Sequence, residues 1–198
     1  MLTVSNVKVY DLKESVIACR NSMRTEQLTE DQYTEEEFKQ SLERAIKLAD
    51  IGSGGHANFR KGIRVSFDIK YPIYWSKEAQ RYHFFDIVNS SSTMHRLTSM
   101  DIDKSCNKYV TKEVKEALKG YIEEYNSPGG ATYENFMKVV SNCPCGLELF
   151  MRVSTNYEQL ATMYKQRKSH RLKEDWGEFC RFIESLPYAK ELIGVQSN

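Results

Sequence analysis

Two histidines and two arginines lie within one short stretch of this chain, joined by a hydroxyl-rich run: Gln80-Arg81-Tyr82-His83, then Asn89-Ser90-Ser91-Ser92-Thr93-Met94-His95-Arg96. Folding alone calls for no such mixture. Arginine grips a phosphate or a carbonyl edge with a planar fork of donors. Serines and a threonine in a turn offer hydroxyls and backbone N–H groups to an anion. Tyr82 and His83 add flat rings on which an aromatic ligand can stack. The segment reads as a place for a phosphate joined to a planar ring. The structural alternative is a capped loop whose arginines pair with surface acids.

A second group comes from helical spacing. Asn156 and Arg167 are eleven positions apart, and three turns of helix take about 10.8 residues, so one face carries both. Leu160, Met163 and Tyr164 lie along or beside that stripe. Such a helix presents Asn and Arg to a pocket, or it is a core helix whose Arg snorkels to solvent. Gln166-Arg167-Lys168-Ser169-His170-Arg171 is a basic run that suits the negative end of a helix dipole.

Other chemistries fail on pattern. Ser91, His83 and Asp86 make a triad only on paper, because no serine stands in a GxSxG elbow. Gly52-Ser53-Gly54-Gly55 lacks the lysine and the spacing of a phosphate-binding P-loop. The cysteines are Cys19, Cys106, Cys143, Cys145 and Cys180. Only Cys143-Pro144-Cys145 is closely spaced, without the second Cys/His pair that zinc needs. No metal site is expected, and reduced thiols fit a cytoplasmic setting.

Several elements must position these groups. Val4, Val7 and Val9 alternate with polar residues and predict a strand through Tyr10, followed by polar loop from Arg20 to Tyr33. Thr34-Glu35-Glu36-Glu37 is a capping box, opening a helix on Phe38, Leu42, Ala45 and Ala49 that stops by Gly52. Ile63, Val65, Phe67 and Ile69 alternate with Arg64, Ser66, Asp68 and Lys70, the clearest strand in the chain. Pro72 suits a helix start, and the helix is predicted over 73–85. Asn89 to Thr93 reads as a polar turn. Thr111 to Tyr125 predicts a helix with Val114, Leu118, Tyr121 and Ile122 inward, broken at Ser127-Pro128-Gly129-Gly130. Another helix follows over Thr132 to Val140. Leu147 to Val153 fits a strand or a short buried helix. Thr155-Asn156-Tyr157-Glu158 reads as a second capping box, for a helix running to about His170. The last helix is placed over Asp175 to Ser185. Without regular βαβ alternation, the class is α+β.

The chain has 198 residues, enough for one large domain or two small ones, with 40% apolar residues to build a core. Its 28 basic and 27 acidic residues leave a net charge of +1, which argues against nucleic acid as a partner. The first residues lack the apolar core of a signal peptide. No apolar run is long enough to span a membrane.

From His56 to Arg96 the order of features resembles the flavin-dependent thymidylate synthases. That family shows a His near a strand, an apolar strand, Pro, a helix, and then Arg-His-Arg-x-x-Ser-x-Asn-Glu-x-Ser-x-Arg. Here the order is His56, the strand over 63–69, Pro72, Ile73-Tyr74-Trp75, and Gln80-Arg81-Tyr82-His83 up to Arg96. Asn156, Arg167 and His170 match a later Asn-to-Arg spacing in the family, with Trp176-Gly177-Glu178 near its Trp-Glu. The resemblance covers roughly residues 50–100 and 150–185. It implies a single domain over 1–198, with a small antiparallel sheet flanked by several helices. It implies a homotetramer with FAD at subunit interfaces, using NADPH and a methylene-folate to methylate dUMP. Arg81 then approaches the flavin, with Tyr82 and His83 holding its ring system. His56 falls on the flavin and folate side, and Asn156 joins the cofactor residues. Ser91, Ser92, Arg96 and Arg167 fall to the nucleotide. No catalytic residue is assigned, and no cysteine nucleophile is required.

The signature is altered. Tyr82 stands at the family's His and His83 at its second Arg, and the stretch to Arg96 is three residues longer than the signature. With Arg96 at its end, Ser92 replaces the Glu and Met94 the Ser. Two functions remain open: reductive methylation of a pyrimidine nucleotide, or binding of a nucleotide or nucleotide-derived signal without redox chemistry.

Overall fold

The structure, a computed structural model, describes residues 2–51 and 55–195. In chain order the elements are β1 (Thr3–Tyr10), α1 (Leu12–Ala18), α2 (Glu35–Ile51), α3 (Phe59–Gly62), β2 (Arg64–Pro72), α4 (Ile73–Ala79) and β3 (Asp86–Ser90). There follow α5 (Thr93–Arg96), α6 (Ile102–Ser105), α7 (Lys112–Asn126), α8 (Tyr133–Ser141), β4 (Glu148–Asn156), α9 (Tyr157–Arg167) and α10 (Lys173–Glu184). The four strands form one sheet in the order β1-β2-β4-β3, antiparallel at each junction. The fold class is α+β, as the sequence predicts.

Strand alternation explains the sheet's two faces. Val65, Phe67 and Ile69 on β2 pair with Thr155, Val153 and Met151 on β4, and all six are buried. Phe67 packs against Phe182 and Phe179 of α10, with ring centroids 4.7 and 6.1 Å apart. Trp75 of α4 meets Trp176 of α10 at 4.9 Å. A buried aromatic of this size removes 150–250 Å² or so from water, so this layer anchors α4 and α10 to the sheet. The opposite face is polar, with Arg64 bonded to Ser154 at 3.0 Å and Arg152 to Asp68 at 3.1 Å.

Some expectations need correction. Asn89 and Ser90 lie not in a turn but in β3, an edge strand hidden by its composition because every residue in it is exposed. The ladder with β4 makes it a strand, and a strand with no buried face shows no period-two signal. Leu147 to Val153 resolves as strand β4, extended to Asn156. Helix α4 ends at Ala79 rather than Phe85, because residues 80–85 turn to meet α9. Two short 3-10 turns, Asn21–Met23 and Glu30–Gln32, interrupt the expected loop. Val114 is 42% exposed rather than inward. The helix stop expected at Gly52 lies outside the described residues. Among the described residues no helix is long and apolar enough to cross a membrane.

Candidate functional site

Helix α9 starts where β4 ends. Asn156, buried and extended, accepts the Gln159 N–H at 2.9 Å through its side chain. The cap is therefore Asn156 with Gln159 three residues on, one position later than the predicted box at Thr155 and Glu158. An asparagine in this place contributes about 1 kcal/mol to the helix. The Asn156 side-chain oxygen is thereby engaged by its own helix. Eleven residues on, Arg167 ends α9, short of His170.

The turn after α4 is strapped along this helix. The Phe84 N–H donates to Gln159 Oε1 at 3.2 Å, and the Phe84 carbonyl accepts from the Thr155 hydroxyl at 2.6 Å. The Tyr82 hydroxyl donates to Gln166 Oε1 at 2.9 Å and accepts from Arg167 Nε at 2.7 Å. The two groups of residues singled out by spacing thus meet in space. The guanidinium carbon of Arg167 lies 4.6 Å from the Trp176 ring centroid and 5.4 Å from that of Tyr82, within cation–π range of both.

At the centre is Glu78, which the sequence reading overlooked. Its Oε2 accepts from Arg167 Nη1 and from Trp176 Nε1, both at 2.9 Å. His170 Nε2 stands 3.3 Å from the same oxygen. His170 Nδ1 accepts the Leu172 N–H at 3.2 Å, which turns its Nε2 toward Glu78. One turn earlier on α4, Tyr74 donates to the buried Asp175 at 2.7 Å. Burial, then the Asp175 carboxylate, push the Tyr74 hydroxyl well above the usual tyrosine range. Tyr74 and Glu78 form an i, i+4 pair that binds α4 to the first turn of α10. That spacing, with Glu78 the sole acid on α4, was the signal available in the sequence.

The other predicted residues are placed apart. Arg81 and His83 are exposed, and the His83 ring stands edge-on to Phe84 at 4.6 Å. The Arg81 and Arg96 guanidinium groups make no hydrogen bond or ion pair to any described residue. Ser91 continues the β3–β4 ladder: its N–H donates to the Phe150 carbonyl at 2.8 Å and its hydroxyl accepts the Phe150 N–H at 3.0 Å. The Ser92 carbonyl accepts the Arg96 N–H at 3.0 Å. Ser91 sits opposite Phe150, and the Arg167 cage is built from Tyr82, Glu78, His170 and Trp176. Among the described residues, no hydrogen bond or ion pair joins Ser91, Ser92 or Arg96 to Arg167. His56 is exposed and lines a separate surface cavity of about 440 Å³ with Cys19, Arg44 and Asn58. Among the described residues no cluster of three or more metal-ligating side chains occurs.

The architecture is an α+β fold of the flavin-dependent thymidylate synthase type. The chain resembles the flavin-dependent thymidylate synthase ThyX of Helicobacter pylori, complexed with FAD and dUMP, with a TM-score of 0.72 and 14% identity over 96% of each chain. A second structure of that enzyme with FAD and dUMP gives 0.71 and 13%, over 98% of this chain and 97% of the other. A UMP/dUMP methylase, PolB of Streptomyces cacaoi bound with 5-Br dUMP, gives 0.59 and 12%, over 86% and 80%. No protein-family model and no curated protein matches the sequence.

Proposed function

We propose that the chain, as one domain, binds a dUMP-like pyrimidine nucleotide beside FAD and serves its reductive methylation. The Arg167–Tyr82 bond, at 2.7 Å, carries this reading. It joins two separately predicted segments in a fold shared with structures that hold FAD and dUMP. The side chains fit a flavin: Arg81 has an unspent guanidinium for a carbonyl edge or phosphate, and His83 and Phe84 offer exposed rings for a planar system. A bound flavin supplies the hydride, which no side chain here can. NADPH and a methylene-folate are its co-substrates on this reading, with His56 on their side.

The residues divide the remaining work. Arg167 donates to the pyrimidine edge, and its charge polarises the ring. Arg96 takes the phosphate, helped by the Ser91 hydroxyl, whose proton is still free to donate, and by Ser92. No hydrogen bond joins Arg96 to Arg167 within the described chain, and on this reading the two reach one nucleotide from two copies, as the resemblance implies. A homo-oligomer, a tetramer by resemblance, therefore completes the site.

A second reading is nucleotide binding without redox chemistry. It is favoured by the Tyr82 hydroxyl, which is spent on Arg167 and Gln166 at the position where the family carries its signature His. Purification with added FAD separates the two. A stable yellow complex absorbing near 450 nm, roughly where oxidised flavins absorb, together with calorimetric dUMP binding, is the expected result. A colourless protein that binds dUMP supports the second reading, and one that binds neither overturns both.

A further inference from the structure

Glu78 uses its two carboxylate oxygens unequally. Oε2 accepts from Arg167 and Trp176 at 2.9 Å each, and His170 faces it at 3.3 Å. Oε1 accepts from no described residue, and Arg167 Nη2 donates to none. A structural arginine–carboxylate pair is frequently bidentate, with both oxygens engaged. Here two donors hold the carboxylate by one oxygen, with His170 beside it, and the other oxygen is left unspent. The Glu78 side chain is 26% exposed against 14% for Arg167, so the carboxylate is reachable from solvent at the edge of the cage.

The charge of Glu78 decides what can dock there. A phosphate brought to Arg167 would meet a carboxylate already paired with it, and like charges at this range repel. An uncharged edge with a donor beside an acceptor suits what the pair has left to offer. We propose that Glu78 is a specificity-determining residue, whose free Oε1 accepts the ring N3–H of the pyrimidine while Arg167 donates to the neighbouring carbonyl. This rests on the pyrimidine-nucleotide reading above. A site built to accept a substrate N–H rejects an analogue lacking it, because its buried polar group then stays unpaired.

The test is calorimetric titration of the full chain with dUMP and with 3-methyl-dUMP. Wild-type protein is expected to prefer dUMP by at least about tenfold, the scale of one hydrogen bond to a charged group. In Glu78→Ala that preference collapses toward unity. Should this variant fail to fold, Glu78→Gln, which keeps the shape but not the charge, is expected to shrink the preference at least threefold or so. Equal binding of the two ligands by wild type overturns the proposal without any variant. A preference that survives in full in the folded variants overturns it too, since another group then reads N3. If wild type binds no dUMP, the pyrimidine reading itself fails and this inference falls with it.

Discussion

Arg167 Nε donates to the Tyr82 hydroxyl at 2.7 Å, across 85 residues of sequence. That bond clamps the end of α9 onto the turn after α4. It also fixes the guanidinium between two rings, with Glu78 on one side. A lysine has neither the fork nor the flat face to do this. The arginine is thus both a strut of the fold and the donor offered to a ligand.

Replacing it separates those roles. Arg167→Ala is expected to weaken dUMP binding by about 10- to 100-fold, as for loss of one or two hydrogen bonds from a charged group. Arg167→Lys should retain most of the stability measured by urea unfolding, because charge is kept beside Glu78, yet lose nearly as much affinity. Unchanged calorimetric affinity in Arg167→Ala would remove this residue from the site.

The proposal that Arg96 and Arg167 meet at one nucleotide from two copies leads to a mixing experiment. Arg96→Ala and Arg167→Ala should each abolish tight dUMP binding alone. Co-expressed in equal amounts, they should recover about one quarter of the sites. Each site then draws one residue from each of two randomly assorted copies. Titration showing no recovery, with mixed oligomers present, means that one chain supplies both residues.

The thiols give a pH dependence. Burial pushes Cys143 up to about 11, with Cys106 and Cys145 nearby adding to the effect. Burial and then Glu184 push Cys180 up to about 11 as well. Cys145 is exposed. At pH 8 a thiol reagent should therefore label Cys145 fast and the other cysteines slowly. Because the folded state raises these pKa values, both thiols favour folding while they remain protonated. That contribution is whole below the ordinary value near 9 and is lost as pH rises toward 11. Urea midpoints should fall over that window, and less steeply in Cys143→Ala/Cys180→Ala.

Much of this was legible in the chain itself. Alternation at Ile63, Val65, Phe67 and Ile69 placed β2, because one face of that strand is buried and the other wet. Spacing put Asn156 and Arg167 at the two ends of one helix. The order of His56, Pro72, Arg81 and Arg96 pointed to the fold. Three things needed the tertiary structure. Strand β3 has no buried face, so only its ladder with β4 reveals it. Glu78 looks like any solvated helix acid until Arg167, 89 residues away, bonds to it. That Ser91 extends the β3–β4 ladder by pairing with Phe150 is a matter of strand register. Local periodicity reports which face of an element is buried. It carries no record of which distant partner each polar group meets, because that pairing is decided when the sheet and helices pack.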